Sequence, residues 1–300
     1  MTGVIPSPFT RVYQTKRKIH RREIVKEDLP SIANLLTRGF PIHTHEFWTG
    51  ALQRLSAHPT PVGFPHYGYL LELDTHIVGA LLTVFTEIIS DQKSVVRCNL
   101  SSWYVKPELR SYAGFLTPHG QRWRDTTFFN ITPARHTLPI IEAQGFSLYC
   151  SGQFISVPAP RGLWSRVRIE PIIDESAYAG RLPKSEAELL LVHAQYGCLS
   201  VICHAEDGCY PFVFSKWRKI HSIPSAYLVY CRDIEDFVRF AGPLGRYLAR
   251  RGLTLVVLDA NAPPPGLVGK FIDDQPKYFK GPNRPRIGDL AYSERALFGF

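Results

Sequence analysis

The chain has six cysteines and no CxxC pair among them. Cys98, Cys150, Cys198, Cys203, Cys209 and Cys231 lie mostly in apolar, strand-like stretches, which favours neither a metal cage nor a disulfide framework. No stretch approaches the roughly 18 uninterrupted apolar residues that a membrane-crossing helix needs. The basic run TRVYQTKRKIHRR near the N-terminus has no apolar segment behind it, so it does not read as a signal peptide. Acidic residues are the scarcer sign, 26 against 35 basic ones, and the net charge of +9 favours anionic ligands or surfaces. Yet no motif that reads RNA or DNA is present, and the aromatic residues sit in strand patterns without basic residues between them, so nucleic acid is set aside as a partner. These absences lead us to expect a metal-free, soluble protein in a reducing, cytoplasmic setting, with residues 1–19 as a solvated basic arm.

What is present is a globular composition, 45% hydrophobic over 300 residues, enough for one large domain or two of ordinary size. After a short strand, apolar residues at Leu29, Ile32, Leu35 and Leu36 have helical spacing, and THEFWTGALQRLSAH continues as a second helix. The period then changes. YGYLLELDTHIVGALLTVFTEI reads as two antiparallel strands joined near Asp74-Thr75-His76, and SVVRCNLSSWYV as a third. A helix is expected from Tyr112 to Arg122, then the strand TTFFNI, a helix capped by Gly145, and a last strand FSLYCSGQFISV.

PAPRGLW reads as a linker, and beyond it the pattern starts again. RVRIEPI, helical KSEAELLLVHAQYG, strands LSVICHA, YPFVFSKW and SAYLVYC, helix IEDFVRFAGPLGRYLARRG and strand LTLVVLDAN follow. Ala113-Gly114 aligns with Ala241-Gly242, and Thr126 with Thr254, at one constant offset, which marks an internal repeat. VVLDAN ends a strand with an acidic residue, but no GxGxxG precedes it, so a dinucleotide site is not supported. The C-terminal stretch from Lys277 reads as a basic loop (Lys277, Lys280, Arg284, Arg286) followed by an apolar strand.

Between the third strand and the expected helix lies VKPELRSYAGFL. Small residues at a helix start expose backbone N–H groups that attract anions. With the element order and the GF of EAQGF, this stretch resembles the Gcn5-related N-acetyltransferase family over residues 20–157. The resemblance implies a layered α/β fold, with a mixed, mostly antiparallel sheet flanked by helices, and here duplicated. Residues 20–157 are then the acyl-CoA-binding domain, 158–164 a linker and 165–300 a second, degenerate copy that shapes the acceptor site or a homodimer. It implies an acyltransferase that moves an acetyl or other acyl group from acyl-CoA to an amine or hydroxyl, on a small molecule or peptide, by direct attack.

The resemblance also assigns roles. The diphosphate would sit on Arg110, Ser111, Tyr112, Ala113 and Gly114, and Ser102, Trp103, Tyr104 and Val105 would supply main-chain groups to pantetheine and thioester. The family pattern is Arg or Gln, two residues, Gly, one residue, then Gly or Ala, and this chain has Ala113 and Phe115 in the two small positions, so Phe115 has to point away. The family often carries a Tyr four residues before the Gly-Phe pair, where this chain has Ile141, leaving His136 and Tyr149 as substitutes for the proton donor. Acyl transfer also needs a base, for which Glu87 is the candidate carboxylate, while Asn99 and Ser101, on the polar face of their strand, would line the acceptor pocket. In the second half, Asp233, Glu235 and Asp236 at the helix start would repel a diphosphate. The missing Tyr and Gly leave an alternative open: a non-catalytic tandem fold that binds a ligand or partner.

Overall fold

The computed structural model describes residues 18–90, 93–118, 123–158, 167–173, 182–220 and 223–299. In the first half, β1 (Ile19–Glu23) is followed by α1 (Leu29–Gly39), α2 (His45–Ala57), β2 (Gly68–Leu73), β3 (His76–Ser90), β4 (Lys93–Val105), β5 (Thr126–Asn130), α3 (Leu138–Ala143), β6 (Ser147–Cys150) and β7 (Gly152–Ser156). The second half runs β8 (Arg168–Pro171), α4 (Lys184–Gln195), β9 (Leu199–Ala205), β10 (Gly208–Ile220), β11 (Ile223–Cys231), α5 (Ile234–Ala249), β12 (Leu255–Ala260), β13 (Gly269–Ile272), β14 (Lys277–Lys280) and α6 (Glu294–Leu297).

Local signals account for most boundaries. Asp74 and Thr75, at φ +47° and +71°, make the two-residue turn between β2 and β3 that keeps the hairpin's twist. Thr44 caps α2 by accepting from the Phe47 N–H, and Gly145 ends α3 at φ +83°.

The strands form two seven-stranded sheets, ordered β1-β2-β3-β4-β5-β14-β6 and β13-β7-β12-β11-β10-β9-β8. In each, one parallel pair interrupts antiparallel neighbours: Arg97 faces Thr127 in β4/β5, and Ser225 faces Leu255 in β11/β12. These pairs fall at the offset that the sequence repeat showed. Each half also lends a strand to the other. β7 lies between β12 and β13 of the second sheet, and β14 lies between β5 and β6 of the first. The stretch expected as one strand, FSLYCSGQFISV, is therefore two strands in different sheets. At the crossing, a Cβ on Gly152 would come within 2.3 Å of the Ile272 carbonyl oxygen, so only glycine allows β7 this close to β13.

Helices α1 and α2 cover one face of the first sheet with Ile32, Leu36, Trp48 and Leu55, and α5 covers the second with Phe237, Phe240 and Leu244. A further cluster joins the halves, bringing Phe129 and Ile131 against Leu190, Tyr227, Leu290 and Ala296.

Four local expectations are corrected. The stretch after β4 is a 3-10 run, Pro107–Leu116, where an α-helix over Tyr112 to Arg122 was expected, and residues 119–122 lie outside the described part. Only Leu116 of that run is buried, so no broad apolar face selects an α-helix as it does in α5. The C-terminal segment ends in the short helix α6 rather than a strand. The end of the basic run is the edge strand β1, with Arg21 stacked on Tyr69 and Arg22 paired to Asp28 and Glu72. Lys277 belongs to no basic patch: it is fully buried, 2.7 Å from Asp259. Of the 158–164 stretch only Pro158 is described.

Candidate functional site

In the first sheet, β4 and β5 pair from Val96 to Asn99 and then diverge. A β-bulge sits just past that fork: Leu82 faces Ser101 and Ala80 faces Tyr104, so Leu81 opposes two residues. Ser102, one of those two, has φ +51°, a left-handed conformation that a serine holds only under restraint. Beyond Asn99, no segment among the described residues pairs with Leu100–Val105 on the side facing β5. The strand edge is open.

The second sheet diverges at the matching place, where β11 and β12 part after Tyr227 and Val257. There the fork is filled by the chain itself. Residues 288–290 run antiparallel beside β11, with the Leu290 N–H donating to Val229 O at 2.8 Å and the Cys231 N–H to Gly288 O at 2.9 Å. The main-chain groups of Val229–Cys231 are thereby consumed.

Two adjoining cavities open from the first fork. The larger, about 540 Å³, is walled by Phe40, Ile42, Trp48 and Trp103 and floored by Ser101, Thr132, Glu294 and Arg295. The smaller, about 130 Å³, continues past Trp103, Tyr104 and Val105 to Arg110, Ala113 and His136. Phe40, Trp103, Ala134 and Thr137 border both. The Trp103 Nε1–H is buried without a hydrogen-bond partner among the described residues.

Glu294 is the carboxylate at the fork. It comes from α6, at the far end of the chain, and is fully buried. The Ser101 hydroxyl donates to Oε2 in a short contact, and the Thr132 hydroxyl to Oε1 at 2.5 Å. The Asn99 Oδ1 accepts from the Glu294 backbone N–H at 2.6 Å, while its Nδ2 donates to Leu100 O and Phe129 O. Burial pushes the Glu294 carboxyl above its ordinary range, opposed by the two hydroxyls. Behind it, the buried Arg295 guanidinium lies 4.6 Å over the Tyr227 ring.

No protein-family model and no curated protein sequence matches the chain. Solved structures do. A Gcn5-related N-acetyltransferase from Anabaena variabilis superposes with a TM-score of 0.54 at 11% identity, over 87% of this chain and 72% of that one. Another from Kribbella flavida gives 0.54 at 15% identity, over 88% and 71%. A candidate acetyltransferase from Pyrococcus horikoshii gives 0.53 at 10% identity and matches end to end, over 97% of both chains. This chain has the Gcn5-related N-acetyltransferase fold. At such identities the likeness establishes the fold, and the chemistry has to be argued from the site.

Within that acetyltransferase fold, the residues expected at the site fall in different places. Trp103, Tyr104, Val105, Arg110, Ala113 and His136 come together around the smaller cavity, and Ser101 and Ser102 line the larger one. Ser111, Tyr112 and Gly114 share the 3-10 run without lining either, and Phe115 points out, 59% exposed. Asn99 sits behind the cavity wall and fixes Glu294. Two residues lie elsewhere. Glu87 faces Val96 on β3, exposed, accepts from the Ser94 hydroxyl, and borders a separate cavity with Arg97, Glu186 and Asp289. Antiparallel pairing runs β3 backwards along β4, so Glu87 falls on the closed side of the fork. Tyr149 is buried in β6 against Phe279, and burial raises its hydroxyl well above the ordinary range. Neither is placed to act at the open edge. Ile141, where the family often has Tyr, is fully buried in core.

Glu294 and Arg295 went unmarked in the sequence. Ser293-Glu294 does carry a helix-start signal, with Ser293 at the N-cap position. Nothing local tells that this turn folds back across the whole chain into the first half.

Proposed function

We propose that this protein is an acyltransferase that takes an acetyl or other acyl group from acyl-CoA and passes it to an amine or hydroxyl acceptor by direct attack. The observation that carries the proposal is the contrast between the forks, the first open onto two connected cavities and the second filled by residues 288–290. Only the first half then holds a donor. Acyl-CoA, when bound, supplies the acyl group activated as a thioester. The main-chain edge of Leu100–Val105 would hold the pantetheine arm, and the exposed Arg110 stands at the far end of the smaller cavity for the phosphates. Glu294 takes the acceptor's proton: it is the buried carboxylate at the fork, and two hydroxyls fix its orientation.

Fit to the donor is supported by the strand edge that no segment pairs with among the described residues and by the unpartnered Trp103 Nε1–H. A thermal-shift titration with acetyl-CoA tests it. Saturable stabilisation is expected, weakened in Arg110→Glu, because a ligand that binds the folded state raises its melting temperature. No shift at millimolar acetyl-CoA would remove the reading.

One observation favours a second reading, a tandem fold that binds ligand without turnover. The 3-10 run replaces the helix on which a diphosphate would rest, and Ala113 replaces a glycine. Binding of acetyl-CoA with no thiol release across a panel of amines, sugars and peptides would decide for it.

A further inference from the structure

We propose that Cys209 is a modification site: a nucleophilic thiol, with His204 as its base and Glu170 behind the ring, that reacts with small disulfides by thiol–disulfide exchange. The three residues lie on β10, β9 and β8 of the second sheet, and the inference stands without the acyl-transfer reading.

Glu206 and Asp207 turn the chain between β9 and β10, and one pair further in, His204 faces Cys209 across the hairpin. The Cys209 Sγ lies 3.3 Å from His204 Nδ1. On the other side of the ring, His204 Nε2 lies 2.9 Å from Glu170 Oε2, which also accepts from the exposed Arg168 at 2.7 Å. The Nε2 contact is one of charge, not an aligned hydrogen bond. A carboxylate there favours the tautomer with its proton on Nε2, which leaves Nδ1 to accept from the thiol. Because thiol and carboxylate flank opposite nitrogens, they do not converge on one metal ion, and no group of three His, Cys, Asp or Glu side chains among the described residues is arranged to hold one.

Access separates Cys209 from the other five cysteines. Cys98, Cys150, Cys198, Cys203 and Cys231 are buried, and burial pushes their thiols up, to about 11 in Cys150 and about 12 in Cys198. Cys209 alone is only partly buried. Neither it nor His204 lines the cavities described above, which suits attack on a small reagent from solvent rather than turnover of a held substrate. In the exchange, the Cys209 proton passes to His204 Nδ1 and the thiolate attacks one sulfur of the disulfide. That S–S bond breaks as the new one forms, and the departing thiolate takes the proton from Nδ1. Glu170 faces the positive charge that the ring carries in between.

Dithiodipyridine, a small disulfide whose released thiol is coloured, tests the assignment. Added in excess to the folded full chain, it should modify one thiol in a fast phase, and peptide mass mapping should place the adduct on Cys209. Cys209→Ser should remove that phase. His204→Gln should slow it by at least about tenfold at about pH 7, the low side of what a positioned base supplies, and make the rate climb with pH as an unassisted thiol's does. Mapping in the unaltered chain is independent of how well either variant folds. A fast adduct on another cysteine, no adduct until urea unfolds the chain, or a rate and pH profile in His204→Gln equal to those of the wild type would each overturn the proposal.

Discussion

His193 shows what a single buried side chain contributes here. On α4, it donates from Nδ1 to Leu189 O at 2.7 Å and accepts at Nε2 from the Tyr292 N–H at 2.9 Å, so the neutral ring latches the segment that leads to Glu294. Burial lowers its pKa to about 4. Between its ordinary value and about 4 the unfolded chain binds a proton that the folded chain refuses, so stability falls as pH drops through that window, by up to about 3 kcal/mol. His58, buried against Tyr196 and Phe85 and also shifted down, adds a slope of the same sign. Urea denaturation at a series of pH values should show that loss, and His193→Gln, though less stable near neutrality, should show a shallower slope. An identical slope in the variant would mean that His193 is not the group that titrates.

At the scale of elements, α6 has four residues, too few to hold a helix alone. It is held from outside. Arg54 of α2 donates from Nε to Leu297 O at 2.6 Å and from Nη2 to Phe298 O at 2.9 Å, satisfying carbonyls at the helix end, while Asn99 secures its first N–H. Arg54→Ala should cost about 1–3 kcal/mol, the range for leaving buried acceptors unpaired, and should speed amide exchange at residues 294–298 before elsewhere. Exchange unchanged there would show that packing of Leu297 and Phe298 alone suffices. Elements with strong periodicity, such as α1, α2, α5 and the β2–β3 hairpin, were legible in the sequence because their own residues decide them. The 3-10 run after β4 was not, because Ala113-Gly114 fits a helix start or a string of turns equally, and burial makes the choice.

The whole molecule is tied by the strands that its halves exchange. Lys277 on β14, in the first sheet, pairs at 2.7 Å with Asp259 on β12, in the second, and Tyr227 also donates to Asp259. A buried pair adds little by forming, yet breaking it strands a charge, so Lys277→Met should cost about 3–5 kcal/mol. Lys277→Met with Asp259→Leu should recover much of that loss, which denaturant melts of both variants would reveal. If the double variant is no more stable than the single one, the pair is not what the exchange depends on. The exchange also explains why the candidate base escaped the sequence reading: a half read by itself contains no hint that the other half completes it.

The sequence alone determined most of the elements and their repeat at one offset, since these rest on periodicity and local turn chemistry, and its resemblance to the acetyltransferase family implied the fold and the role of the strand at residues 102–105. Tertiary structure decided the rest. The exchange of β7 and β14, the filling of the second fork by residues 288–290 and the return of Glu294 to the first fork are contacts between residues far apart in the chain. No short-range pattern encodes such contacts, because their energy comes from burial and pairing that exist only after both halves are folded together.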